Sequence, residues 1–291
     1  MAIILDGKTV SQKIKDELFS IYGVEDIKLT IIQVGNNPAS NIYVRNKQRA
    51  CDEVGIESKT IKLETEQGLY SHIKSCTSDA IMVQLPLPDG CDEHFYLNCI
   101  DVDKDADCLT DESLGRFYSS SDPDIAPCTP QGIIDLLDYY NIDVEGKRAL
   151  VIGRSNIVGK PIAHLLTTRN ATVTIAHSRT PKNDLLRLFA TADIVISATG
   201  KVDVISEEDA LQYEKDYRHD FYRSFKTNSD RVIIDVGINR DANGKLCGDF
   251  SEAFKAKYSA AYSPVPGGIG PMTVAELLKN TVKLYERKSK K

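Results

Sequence analysis

Short apolar runs alternate with amphipathic stretches from one end of the chain to the other. Residues 28–34, 57–63 and 80–84 read as strands, and around them residues 10–22 and 40–53 space their apolar side chains at helical intervals. A second alternation runs through residues 148–152, 171–176, 193–197 and 231–236, with a helix predicted over 162–168 and another over 274–287. Such alternation predicts an α/β protein built on largely parallel sheets, its second half a doubly wound nucleotide-binding domain. The Pro- and polar-rich stretch from Ser119 to Pro127 interrupts the pattern as a domain boundary would. Residues 207–230 are polar and rich in charge and tyrosine, and are expected to form a surface insertion.

Composition narrows the class. A chain of 291 residues with 42% hydrophobic and 27% charged residues suits two globular domains. No apolar run approaches the ~18 residues of a membrane span, and the first residues lack a signal-peptide pattern, so a soluble, cytoplasmic protein with no membrane partner is expected. Seven cysteines, an odd number with no C-x-x-C pair, point to reduced thiols rather than disulfides or structural zinc. A formal charge of −6 argues against nucleic acid as a partner, and the basic run at 287–291 reads as a solvated tail.

Candidate chemistry begins at the strand 149–152, which runs into Gly153-Arg154-Ser155-Asn156-Ile157-Val158-Gly159-Lys160-Pro161 and then a helix. Glycines let the backbone approach a pyrophosphate, and a helix N-terminus offers free N–H groups. The spacing departs from G-x-G-x-x-G, so the turn alone is weak testimony. The next strand ends in His177-Ser178-Arg179-Thr180, without the acid that holds a ribose 2′-hydroxyl in NAD sites. Ser178, Arg179 and Arg154 suit a 2′-phosphate instead, which favours NADP over NAD.

In the first half, Tyr43 and Lys47 stand at i and i+4 on one helix face, just after a strand end where α/β proteins bind ligands. The strand at 80–84 ends on Gln84 and a rigid Leu85-Pro86-Leu87-Pro88 loop. The acidic run Asp101-Val102-Asp103-Lys104-Asp105-Ala106-Asp107 is read as a solvated loop; it lacks the glycine and distal glutamate of a calcium loop, and no metal is expected.

Taken together, these segments resemble the bifunctional methylene-tetrahydrofolate dehydrogenase/cyclohydrolase family over nearly the whole chain. The markers are Val34-Gly35 with Ala39-Ser40, Tyr43-Val44 and Lys47; Val83-Gln84-Leu85-Pro86-Leu87-Pro88; Lys104-Asp105 with Asp107; Pro127-Cys128-Thr129-Pro130; Gly153-Arg154-Ser155; and Ser263-Pro264-Val265-Pro266-Gly267-Gly268-Ile269-Gly270-Pro271-Met272-Thr273. The resemblance implies an N-terminal α/β catalytic domain (1–122 plus 274–291, closed by the C-terminal helix) and a Rossmann-like doubly wound NADP-binding domain (123–273), with a cleft between them. It implies NADP-dependent oxidation of 5,10-methylene-tetrahydrofolate and hydrolysis of the methenyl product to 10-formyl-tetrahydrofolate, by a homodimer. Lys47 is then the catalytic acid/base, Gln84 its hydrogen-bonding partner, Tyr43 the folate-positioning residue and Asp107 the holder of the pterin ring. Val83, Leu85, Pro266 and Gly267 complete the substrate contacts. The cofactor contacts implied are Thr129, Gly153, Arg154, Ser155, Ser178, Arg179, the Ala198-Thr199-Gly200 turn, Gly237, Ile238 and Thr273.

A lysine facing a forming cation must be partly neutral. Moving its pKa from about 10.4 toward about 7.5 costs on the order of 4 kcal/mol, which partial burial and nearby positive charge are expected to supply. Departures from the family pattern cluster beside Asp107, where Cys108 replaces a common glycine and Ala106 a common valine; pterin affinity is the property they touch. The competing readings are a dehydrogenase with little cyclohydrolase activity, a shikimate-type reductase, and a non-catalytic nucleotide sensor. Lys47 with Gln84, the proline-glycine loop, and the lack of a basic recognition helix speak against them in turn.

Overall fold

The computed structural model describes residues 2–120, 123–216 and 230–290. In chain order its elements are β1 (Ile3–Ile4), α1 (Gly7–Tyr22), β2 (Lys28–Val34), α2 (Pro38–Val54), β3 (Glu57–Leu63), α3 (Leu69–Lys74), β4 (Ala80–Val83), α4 (Glu93–Leu97), α5 (Asp111–Ser119) and α6 (Cys128–Tyr139). There follow β5 (Arg148–Ile152), α7 (Gly159–Thr168), β6 (Thr172–Ala176), α8 (Lys182–Thr191), β7 (Ile194–Ser197), α9 (Glu207–Asp216), β8 (Val232–Asp235), β9 (Asn239–Arg240), β10 (Leu246–Cys247), α10 (Glu252–Tyr258), β11 (Ala261–Tyr262) and α11 (Ile269–Ser289).

The chain divides into two compact units, one made of Ser11–Cys128 with the segment from Thr273 onward, the other of Thr129–Met272 with the segment up to Val10. In the first, three parallel strands lie in the order β3-β2-β4. Its central strand β2 is buried along almost its whole length, as a near-continuous apolar run with a neighbour on each side should be. Its two buried polar side chains are paired: Thr30 Oγ1 with Ser78 Oγ at 2.8 Å, and Gln33 Nε2 donating to Asn41 Oδ1 at 2.8 Å. The edge strand β3 alternates exposed and half-buried positions. The helix after β2 is delimited by its own residues: the Asn37 side chain accepts from Ala39 N and Ser40 N, Pro38 opens the first turn, and Gly55 closes the last at φ 78°. A core of Ile32, Val34, Ile73, Ile81 and Val83 fills the space beneath.

In the second unit the order is β1-β11-β8-β7-β5-β6, every pair parallel. Crossing from β5 to β6 on one side and then to β7 on the other makes a switch point between β5 and β7. Phe189, Phe250 and Phe254 anchor the core. Arg231 is wholly buried; its guanidinium donates to Ala190 O, Ala192 O and Tyr258 O at 3.0–3.2 Å and lies 4.5 Å from the Phe189 ring centroid. Burial brings its pKa down to about 10. The cation thereby holds the carboxyl ends of α8 and α10 together.

Ile3–Ile4 pair with Ala261–Tyr262 in the sheet of the second unit, and the compact units divide at 128/129 and 272/273. Two expectations are corrected. The basic end is no solvated tail as far as it is described: helix α11 continues to Ser289, Arg287 pairs with Asp124 at 2.7 Å and Lys288 with Asp79 at 2.7 Å. Of the expected insertion, residues 207–216 form α9, with Ala210 and Tyr213 buried, while 217–229 lie outside the described residues. All seven cysteines are free, and no helix among the described residues is long and apolar enough to cross a membrane.

Candidate active site

The sheet order β3-β2-β4 puts a second switch point between β2 and β4, and the carboxyl ends of these strands deliver the candidate groups. Lys47 projects from α2 and is buried, its Nζ donating to Gln84 Oε1 at 3.1 Å and to Met82 Sδ at 3.2 Å. Gln84 Nε2 donates to Leu85 O at 2.7 Å, which turns the amide oxygen toward the lysine. Burial lowers the Lys47 pKa, opposed by the negative charge of Asp107. The nearby positive charge expected to help is not among the groups that shift it: desolvation does the lowering. Tyr43 is half-buried one turn earlier on the same helix face, and Val83 and Leu85 flank Gln84.

Asp107 is carried by a braced loop. Ile81 N donates to Lys104 O (2.7 Å) and Ala106 N to Ile81 O (3.2 Å), so residues 104–106 run beside β4. Asp105, expected in a solvated loop, is buried instead: its Oδ2 accepts from Leu109 N at 2.9 Å and Thr110 N at 2.8 Å, and burial raises its pKa. From α11, Asn280 Nδ2 donates to Ala106 O and Ala126 O, both at 2.9 Å, and the buried Cys128 thiol donates to Ala106 O at 3.4 Å. Cys128 lies in the field of Asp107, and burial pushes its pKa well up, so it stays a neutral thiol. Cys108 has φ 57°, in the region that favours glycine, with its thiol buried.

In the other unit, Gly153 N donates to Ala176 O and Ala198 N to Ile152 O, each at 2.9 Å, which lays the turns after β5 and β7 side by side. A side chain at Gly159 would bring its Cβ to 2.4 Å from Gly153 O, so α7 can start this close to the turn only with glycine. Ser155 Oγ accepts from Val158 N and Gly159 N and squares off the helix start. Arg154 and the Ser178-Arg179 pair follow Ile152 and Ala176, which are paired in register, and all three are exposed. The turn that presents Ser178 and Arg179 is closed by His177 N donating to Thr180 Oγ1 at 3.0 Å and Arg179 N donating to His177 Nδ1 at 3.1 Å, with no carboxylate in it. These residues fit a dinucleotide carrying a ribose phosphate. Thr199 N and Gly237 N donate to the carboxylates of Asp249 (2.7 Å) and Asp235 (3.0 Å), while Ile238 is exposed. Thr129 sits in the first turn of α6 and Thr273 in the opening turns of α11. Pro266 and Gly267 form a loop in which Gly267 O accepts from Lys8 N at 3.2 Å and Gly268 N donates to Pro264 O at 2.9 Å.

Sequence reasoning singled out Gln84 but missed Met82, although residues two apart on a strand share a face and that period was available as a signal. Asp105, Asn280, Asp235 and Asp249 were also missed as supports. The partners of Asn280 and most of those of Asp249 lie far away in sequence, and the nearby backbone amides that Asp105 and Asp235 accept from leave no mark in the residue pattern.

Comparison with known proteins agrees with this geometry. The family model for the tetrahydrofolate dehydrogenase/cyclohydrolase catalytic domain matches residues 5–107, and that for the NAD(P)-binding domain of the same family matches 127–214 and 219–289. The chain is 42% identical to the bifunctional protein FolD of Lacticaseibacillus casei, with 99% of both chains covered. Its fold is similar to the FolD methylenetetrahydrofolate dehydrogenase/cyclohydrolase of Campylobacter jejuni (TM-score 0.85, 37% identity, 99% and 100% of the two chains covered). It is likewise similar to the Trypanosoma brucei enzyme solved with NADP cofactor and inhibitor (TM-score 0.87, 32% identity, 100% and 99% covered). With both halves matched and relatives alike from end to end, this chain belongs to the tetrahydrofolate dehydrogenase/cyclohydrolase family.

Proposed function

We propose that this protein oxidises 5,10-methylene-tetrahydrofolate with NADP to 5,10-methenyl-tetrahydrofolate and then hydrolyses the methenyl group to 10-formyl-tetrahydrofolate. The observation that carries the reading is the buried Lys47 ammonium held on Gln84, its pKa lowered by burial. NADP, when bound, supplies the hydride acceptor; Arg154, Ser178 and Arg179 hold its ribose phosphate, and the turns at 153–155, 198–200 and 237–238, with Thr129 and Thr273, take the rest of the dinucleotide.

Tyr43, with Val83, Leu85, Pro266 and Gly267, orients the folate, and Asp107 accepts hydrogen bonds from the N–H donors of the pterin ring. Lys47 in its neutral form takes a proton from the water that attacks the methenyl carbon and returns it to the ring nitrogen as the C–N bond breaks, while the remaining hydroxyl proton leaves to solvent as the formyl carbonyl forms. Gln84 keeps Nζ aimed throughout, its amide fixed by Leu85 O. A neutral amine at this position avoids opposing the methenyl cation. The protein works in the cytoplasm as a homodimer, a reading supported by the family resemblance.

The test is a spectrophotometric assay with 5,10-methylene-tetrahydrofolate and either NADP or NAD, following reduced cofactor and methenyl product separately. Reduced NADP with little methenyl accumulation is the expected result. Methenyl accumulation would mean a dehydrogenase alone, and no turnover by folded protein would sink the reading.

A further inference from the structure

Lys255, in α10, is fully buried. An ammonium withdrawn from water is costly unless each of its protons finds an acceptor. Here Nζ donates to Ser263 O at 2.9 Å and to Glu252 Oε1 at 2.7 Å, and lies 3.4 Å from Asp235 Oδ2. The Tyr262 ring stands below, 5.5 Å from Nζ to centroid.

Each acceptor in turn holds a loop. Asp235 Oδ1 accepts from Gly237 N at 3.0 Å and Asp249 N at 2.9 Å, and its Oδ2 from Phe250 N at 3.0 Å. Asp249 Oδ2 accepts from Ser197 Oγ, Thr199 N and Thr199 Oγ1 at 2.7–2.8 Å, and its Oδ1 from Lys201 N at 3.1 Å. Glu252 Oε1 accepts from Val265 N at 3.1 Å. The backbone comes so near these carboxylates that a Cβ on Gly237 would lie 2.2 Å from Asp249 Oδ1. Three segments, 198–201, 237–238 and 263–268, therefore hang on one charged junction.

We propose that Lys255, together with Glu252, is a positioning residue for hydride transfer, holding the two cofactor-facing turns in register with the loop at 263–268. This rests on the function proposed above, in which those turns meet NADP and that loop meets folate. Stability alone does not call for a lysine here, since buried ion pairs are often matched or bettered by apolar residues of similar volume. What the ammonium adds is geometry: Asp235 at the end of β8 and the carbonyl of Ser263 are drawn to one point with Glu252 of its own helix. Hydride transfer is sensitive to displacements well under an ångström, so a slack junction should slow that step more than the hydrolysis, which shares the loop at 263–268 but not the cofactor turns.

The experiment compares wild type with Lys255→Met in the full chain. Dehydrogenase kcat is measured with 5,10-methylene-tetrahydrofolate and with its methylene-deuterated form; cyclohydrolase is measured from methenyl-tetrahydrofolate without NADP. The expected result is a roughly tenfold fall in dehydrogenase kcat with a larger deuterium isotope effect, and a smaller fall, about threefold at most, in cyclohydrolase. Equal loss of both activities, or an unchanged dehydrogenase rate and isotope effect in folded protein, overturns the proposal. Should Lys255→Met not fold, the half-exposed Glu252→Gln decides, since it keeps an acceptor for Val265 N: a fall of about threefold with the same split supports the proposal, and no split overturns it. An inactive wild type would sink the functional reading and this one with it, whereas an active wild type with indifferent variants sinks only the positioning role.

Discussion

Both units of this protein open the carboxyl ends of a parallel sheet at a switch point, yet they furnish those ends in opposite ways. Between β2 and β4 the candidate groups are side chains: a buried lysine whose Nζ lies 3.1 Å from an amide oxygen and 3.2 Å from a thioether sulfur. Between β5 and β7 the candidate groups are largely backbone turns, and the ionisable side chains Asp235, Asp249 and Lys255 stay behind them, wholly buried. A group that exchanges a proton must be tuned by its own surroundings, so it has to be a side chain. Groups that only hold a ligand still gain from rigidity, and main-chain amides braced from behind supply it without titrating.

The contrast is broken most severely at Lys47. Lys47→Met should cut cyclohydrolase by on the order of 10²–10⁴-fold, read as methenyl product that accumulates, in protein that stays folded. The same variant sharpens the electrostatic argument. Wild-type Lys47 has a lowered pKa when folded, so between that value and the ordinary lysine value unfolding takes up a proton and rising pH favours the folded state. Wild type should therefore gain thermal stability relative to Lys47→Met as pH rises through that window. On the opposite side, Arg154→Ala should raise the NADP KM by roughly 10–100-fold and leave the NAD KM unchanged, since only the ribose phosphate loses a partner.

A smaller effect concerns pH. Because neutral Lys47 is the active base, cyclohydrolase should climb with pH along a limb whose midpoint lies below the usual ~10.4 of a lysine. Removing a sulfur that accepts from the ammonium should move this limb further down, by about half a pH unit or less in Met82→Leu, with the NADP KM untouched. A limb that stayed put, or moved upward, would mean the thioether does not favour the charged amine.

How much of this could be read beforehand varied with the range of the interaction. The strands β2, β3 and β5 follow from local apolar runs, and their bounds agree with the expectation. The pairing of Lys47 with Gln84 was legible only through the family resemblance, since 37 residues separate them. Asp105 was misjudged because an acidic run looks solvated; only the fold shows two backbone amides waiting for that carboxylate. The Lys255 junction was invisible, its members scattered from Ser197 to Val265 on elements with no shared period. A two-residue strand such as β1 is too short to carry any period, which is why its pairing with β11 could not be foreseen.

That first strand also sets a schedule. A ribosome releases the segment around Ile3–Ile4 early, but its partner Ala261–Tyr262 is made near the other end of the chain. At ~5–20 residues per second, the strand waits roughly ten to fifty seconds for its place in the sheet to exist. Until then the two isoleucines, both more than half exposed even in the finished protein, have no sheet edge to join.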